Sequence, residues 1–162
     1  MLQEIVTSVR RLPHWRLGDA FYFVTWRVAP GRNDLSDVER DIVVGALRFF
    51  DGVRYDLLSA IVMNDHVHVV VAMRPGHSLS KALHSWKSFS AHRINDEAER
   101  TGPVWLGEHY DRLIRDDDEL KATIAHVEGN ARKRWPAIAA YRWMVRSNDV
   151  IARALGLAAT AL

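Results

Sequence analysis

Met63-Asn64-Asp65-His66-Val67-His68-Val69-Val70-Val71 decides how the chain folds, because it reads as a tight turn running into a strand. β-Branched valines favour extended backbone, and along a strand residues i and i+2 project from the same face. His66 and His68 then point one way, while Val67, Val69 and Val71 point the other way, into a core. Two neutral imidazoles side by side can share one metal ion. Equally, two core histidines can be satisfied by backbone or carboxylate partners, and the pair alone does not choose between these readings.

Outward from this run, Tyr55 to Met63 reads as the partner strand of a hairpin whose turn is Asn64-Asp65. Phe21 to Val28, aromatic and β-branched, reads as a first strand closed by Pro30-Gly31. Ser36-Asp37-Val38-Glu39 has the form of a capping box, and Val38, Ile42, Leu47 and Phe50 recur at helical spacing until Asp51-Gly52. Ser78 caps a second helix running to about Glu99, with Leu79, Leu83, Trp86 and Phe89 on one stripe. After Gly102-Pro103, Tyr110 to Arg115 reads as a short edge strand. Asp116 or Asp117 then caps a helix with Asp118 and Glu119 in its first turn and Arg132, Lys133 and Arg134 near its end, as the helix dipole favours. Pro136 marks its stop. Strands interspersed with helices around a hairpin predict an α+β domain, an antiparallel sheet with helices packed on one face.

The chain has 162 residues, 48% of them hydrophobic with six tryptophans, enough for one domain with a substantial core. It has no cysteine, which excludes disulfides and thiolate metal sites and leaves only nitrogen and oxygen ligands. Residues Met1 to Arg16 contain no uninterrupted apolar segment of signal-peptide type, and no stretch is long and uncharged enough to span a bilayer. The expectation is a soluble cytoplasmic protein without a membrane partner. The net charge is only +2, but its distribution is uneven. Arg10, Arg11, Arg16, Arg27 and Arg32 are matched near the other end by Arg132, Lys133, Arg134, Arg142, Arg146 and Arg153, around six acids between Glu108 and Glu119. Such ends form either one phosphate-binding face or an ordinary solvated mixed surface.

The run from Met63 to Val71 resembles the metal-binding strand of the single-tyrosine HUH transposases of the IS200-like kind, the REP-associated tyrosine transposases above all. In those proteins a proline-(Asn/Glu)-(Asp/His)-His-x-His pattern stands there. The resemblance continues through Gly102-Pro103-Val104-Trp105, Tyr110-Asp111-Arg112-Leu113-Ile114-Arg115-Asp116 and Glu119-Leu120, with Phe21 to Arg27 and Lys87-Ser88-Phe89 in the expected order. It covers roughly residues 15 to 135 collinearly, far more than a lone His-x-His.

The resemblance implies a ferredoxin-like sheet, binding of single-stranded or hairpin DNA, and a divalent metal that polarises the scissile phosphate. It also implies attack by a tyrosine that becomes linked to a DNA 5′ end in the course of DNA transposition. The metal ligands carried over are His66 and His68, with Asn130 as the third, oxygen ligand; Mg2+ or Mn2+ is the expected ion, and the mixed nitrogen and oxygen set would also accept Zn2+ or Ni2+. The family's Tyr-Ile-x-x-Asn-Pro-Val-Lys pattern falls on His126-Val127-Glu128-Gly129-Asn130-Ala131-Arg132-Lys133. The nucleophile position is therefore His126, which carries no phenol, and Ala131 replaces the proline. Positions i and i+4 share a helical face, so residue 126 stands over whatever Asn130 holds.

Three roles are open to His126: an inactivating change that leaves DNA binding, an imidazole nucleophile forming a phosphohistidine, or a further metal ligand. For DNA contact, Lys87, Arg112, Arg115, Arg132, Lys133 and Arg134 are the candidate phosphate partners, and Trp105 or Trp135 could stack on an unpaired base or fill the core. Two other readings compete: a metalloprotein or hydrolase unrelated to DNA, using His66, His68 and His126 around zinc, and a non-catalytic DNA-binding regulator. The expected division is a transposase-like domain over residues 1–140 and a C-terminal helical extension over 141–162, in a monomer or homodimer.

Overall fold

The protein is described here by a computed structural model that covers residues 20–157. The N-terminal Arg10, Arg11 and Arg16 lie outside the described residues, as does the end of the tail. Five strands form one antiparallel sheet: β1 (Ala20–Val28), β2 (Tyr55–Val62), β3 (His66–Met73), β4 (Trp105–Ile114) and β5 (Met144–Arg146), in the order β4-β1-β3-β2-β5. Four helices accompany them: α1 (Asp37–Phe49), α2 (Leu79–Glu97), α3 (Asp117–Arg134) and α4 (Asn148–Ala154). The succession β1-α1-β2-β3-α2-β4 with β1 and β3 central is ferredoxin-like, and the α+β expectation holds.

The central position of β3 follows from its sequence. Every residue from Val67 to Met73 is buried, so both of its faces must be covered. A strand that is apolar on both sides cannot sit at an edge when each fully buried valine stabilises the fold by roughly 1.5–3 kcal/mol. Val67, Val69 and Val71 pack with Val24 and Trp26 of β1 under α1 and α2, where Leu47, Leu83 and Trp86 are buried. Val70 and Ala72 pack with Phe21 and Phe23 on the opposite face, against Leu120, Ile124 and Val127 of α3 and Ile151 of α4.

The helices are therefore not confined to one face. The two within the ferredoxin-like unit share a face as expected, whereas α3 and α4 cover the other. The physical reason is that β1 and β3 present apolar side chains on both sides, and the second side needs its own cover.

Local signals set the element ends. Ser36 accepts from the Glu39 amide while the Glu39 carboxylate accepts from the Ser36 amide, so the expected capping box is formed. Asp116 caps α3 by accepting from the Glu119 amide, and Ser78 caps α2 by accepting from the Lys81 amide. Two stripe positions turn outward: Val38 and Phe89 are each 49% exposed. Trp105, in contrast, is buried. It is 6% exposed, sits edge-on to Trp26 at 6.0 Å and donates its indole N–H to Ser90 Oγ at 2.9 Å.

Beyond α3 the chain returns to the sheet. Val145, which sequence spacing places in a helix, lies on β5, which pairs with β2 through Ser59, Ala60 and Ile61. Tyr141 fastens this segment by donating its hydroxyl to the Val62 carbonyl at 2.6 Å and stacking on Trp135 at 5.7 Å.

Candidate metal centre and its basic rim

The Asn64-Asp65 turn delivers the chain into β3 so that His66 lies opposite Arg27 and His68 lies opposite Thr25 on β1. Directly opposed residues of an antiparallel pair share a face. Thr25, Arg27, His66 and His68 therefore all look toward α3, on the same side as Phe23. The two imidazole centroids are 4.6 Å apart, as same-face strand positions require.

Each ring is held from behind. His66 Nδ1 lies 2.6 Å from Asp65 Oδ1. A carboxylate only accepts, so Nδ1 carries the proton, and in the neutral ring Nε2 keeps its lone pair. His68 Nδ1 lies 2.6 Å from Thr25 Oγ1, and in the tautomer that donates to this hydroxyl its Nε2 is likewise free. Orientation of an imidazole through its second nitrogen is how metal-binding histidines are usually fixed.

The third donor is Asn130, one face of α3 away. Its Nδ2 donates to the His126 carbonyl at 2.9 Å, which settles the amide orientation and turns Oδ1 toward the strand. Asn130 Oδ1 stands 3.4 Å from His66 Nε2. In the neutral ring with its proton on Nδ1, two lone pairs would face each other across that gap, an arrangement that a cation would relieve. Two imidazole nitrogens and an amide oxygen fit a divalent ion that accepts mixed nitrogen and oxygen donors.

His68 is 9% exposed, and its pKa is pushed down from 6.5 to about 3. Burial is the main cause, followed by the charges of His66 and His126, while the Asn130 amide acts in the opposite direction. The ring is thus neutral near pH 7, as ligation requires. The unfolded chain takes up a proton near 6.5 that the folded chain refuses until about 3. Stability therefore falls as pH drops through this window. The expected loss at pH 4 is roughly 2–3 kcal/mol, allowing for screening of the partly exposed ring. Urea unfolding at pH 7 and pH 4 checks this: the wild type should lose more stability than His68→Gln, and equal losses would refute the assignment.

His126 is exposed on α3, one turn before Asn130. Its ring is 5.6 Å from that of His68 and stands edge-on to Phe23 at 6.0 Å. It does not complete a three-imidazole site. Among the described residues, no three His, Cys, Asp or Glu side chains are grouped closely enough to hold a metal ion. The His126 ring thus stands beside both His68 and Phe23 without being grouped with His66 and His68 as a three-imidazole site.

The expected phosphate partners fall into three groups. Lys133 and Arg134 line a recess with Arg27, Asp65, His66 and Asn130, directly beside the imidazoles, while Arg132 is exposed on the same helical turn. Arg112 and Arg115 flank the other side, where both meet Glu119. Arg112 pairs with that carboxylate and donates to Thr123 Oγ1 at 3.0 Å, and Arg115 Nε lies 3.5 Å from Glu119 Oε2. Lys87 is on the opposite face of the sheet. Its ammonium donates to the Leu106 carbonyl at 2.8 Å in a groove between α2 and β4, and burial lowers its pKa.

Sequence reasoning missed Thr25 and Arg27 as site residues, and quoted Asp65 without a role. Asp65 was accessible as the residue preceding the first histidine. Thr25 and Arg27 enter through cross-strand register, which no local pattern encodes.

Tyr110 also belongs to this face. It lies opposite Thr25 on β4, is 56% exposed and approaches the Phe23 ring at 6.3 Å.

A family profile described as IS200-like transposase matches residues 39–113. Among solved structures, a REP-associated tyrosine transposase bound to a REP hairpin superposes with a TM-score of 0.63 at 14% identity. That match covers 77% of this chain and 74% of the other. A provisionally assigned transposase from Deinococcus radiodurans R1 superposes with a TM-score of 0.52 at 19% identity, covering 74% of this chain and 96% of the other. At these identities the two structures speak to the fold. No curated protein sequence matches the chain.

Proposed function

We propose that this chain is a member of the IS200-like transposase family, whose profile matches residues 39–113, and that it binds single-stranded or hairpin DNA on the face carrying His66 and His68. The activity of the family is DNA transposition, and the REP hairpin in the similar structure supports a partner of the same kind here. The observation that carries the reading is the approach of Asn130 Oδ1 to His66 Nε2 at 3.4 Å, inside a recess lined by three cations, Arg27, Lys133 and Arg134, together with the Met63-Asn64-Asp65 turn. Paired neutral donors beside fixed positive charge suit a phosphodiester better than a neutral substrate.

His66, His68 and Asn130 would hold a divalent ion, Mg2+ or Mn2+. When bound, such an ion supplies positive charge against a phosphate oxygen. The chain's own residues do the rest. Asp65 and Thr25 fix the imidazole rings, the His126 carbonyl fixes the Asn130 amide, and the cationic rim attracts the backbone of the strand.

What the chain does not offer at position 126 is a phenol. An imidazole there cannot form the phosphotyrosine link, so the reading is a DNA-binding family member whose attacking group is replaced. DNA as partner, together with the lack of cysteine, suits a cytoplasmic setting. Among the described residues, no helix is long and apolar enough to cross a membrane.

The test is fluorescence anisotropy with a labelled hairpin carrying a single-stranded extension. The full chain should bind it with an affinity that falls steeply as salt rises, by roughly tenfold or more between 50 and 200 mM. No binding at low salt, with or without Mn2+, would sink the proposal.

A further inference from the structure

In the sequence Arg27 is only one of five arginines in a basic first segment, yet it occupies the most informative position on the rim. It is exposed at the end of β1, directly opposite His66 in the sheet register. It lines the same recess as His66, Asn130, Lys133 and Arg134. Its charge is also felt at His68, where it adds to the causes that keep the ring neutral.

The cations around the histidines are not equivalent. On the side toward the start of α3, Arg112 and Arg115 share Glu119, and Arg112 also donates to Thr123. On the side toward the Asn64-Asp65 turn, no carboxylate among the described residues pairs with Arg27, Lys133 or Arg134. The acids on that side have other partners: Asp65 accepts from the His66 ring, Asp34 accepts from the Asn64 amide, and Glu128 pairs with Arg146. Of these cations, the ones with no ion-pair partner among the described residues lie on one side of the imidazole pair.

We propose that Arg27, with Lys133 and Arg134, forms a seat for a DNA backbone phosphate next to His66, so that a bound single strand leaves the site over the Asn64-Asp65 turn. The inference rests on the DNA-binding reading above and gives that reading a direction. Arg27 is the anchor because it stands on the rigid sheet beside His66, whereas Lys133 and Arg134 project from the last turn of α3. Its planar fork can hold two phosphate oxygens at once.

The experiment measures binding of the hairpin with a single-stranded extension by anisotropy over a range of salt, in EDTA and in Mn2+. Arg27→Gln should weaken binding roughly 5- to 10-fold and reduce the salt slope by about 1, in both conditions. Arg27→Lys, which keeps the charge, should recover most of the slope and so exclude misfolding as the cause. Arg115→Gln, on the side where Glu119 offsets part of the charge, should weaken binding less than Arg27→Gln does. Wild-type binding together with an unchanged Arg27→Gln affinity and slope would overturn the seat while leaving the DNA-binding reading intact. Equal losses in Arg27→Gln and Arg115→Gln would overturn the directional claim. Failure of the wild type to bind would remove the DNA-binding reading and the seat with it.

Discussion

His126→Tyr should create a covalent protein–DNA adduct that the wild type does not form. Residue 126 is exposed on α3, one helical turn from Asn130 and with its ring 5.6 Å from that of His68. A phenol there reaches somewhat further than the imidazole along the same direction, over the same pair of strand histidines. Little must move to admit it: the neighbour on one side is the edge contact with Phe23 at 6.0 Å, and the other side is solvent. Stability should change by no more than about 0.5 kcal/mol. Incubated with the hairpin-bearing strand and Mn2+, the variant should give a denaturant-resistant adduct at least roughly a hundredfold above wild type.

The adduct should map to residue 126 and survive Tyr110→Phe, which removes the other phenol on this face. A wild-type adduct that is acid-labile and lost in His126→Ala would overturn the prediction. It would mean that the imidazole itself attacks.

Loss of the strand histidines should abolish metal binding without the help of position 126. His66→Ala and His68→Ala together should lower Mn2+ affinity, read by titration calorimetry, by at least roughly a hundredfold, and Asn130→Ala alone by about tenfold. His126→Ala should stay within about twofold of wild type, since that ring packs on Phe23 and joins no group of three donors. Unchanged Mn2+ affinity in the double variant would place the ion elsewhere. A loss in His126→Ala as large as that in the double variant would restore the three-imidazole site. His68 is nearly buried, so thermal unfolding of each variant is needed to separate lost ligation from lost packing.

Where the strand histidines sit was legible from alternation alone. A period of two places His66 and His68 together, and the valines between and after them force the strand into the middle of the sheet. The i, i+4 spacing of His126 and Asn130 was legible for the same reason, as were the Ser36, Ser78 and Asp116 caps. What was hidden is what depends on neighbours distant in sequence. Thr25 and Arg27 become site residues only because β1 and β3 pair in one particular register. Arg112 reads as a phosphate contact in the sequence, but Glu119 sits beside it once α3 folds back over the sheet. Lys87 has the right chemistry on the wrong side of the sheet for the histidines, a distinction set by which face each helix covers. The tail has helical spacing in Val145, Val150, Ile151 and Leu155, yet the open edge of β2 takes Val145 as a strand, because pairing satisfies backbone groups that the edge would leave exposed.

Asn130 grips the residue one turn before it by the main-chain carbonyl, and the side chain of residue 126 takes no part in that bond. Position 126 is therefore an interchangeable fitting. Any side chain that keeps the helix also keeps the amide aimed at His66, so the attacking group can be exchanged while the donor set stays as it is. The same detachment that lets an imidazole stand where a phenol is expected would let an engineer mount a thiol, a hydroxyl or a phenol there, and compare nucleophiles against one unchanged background.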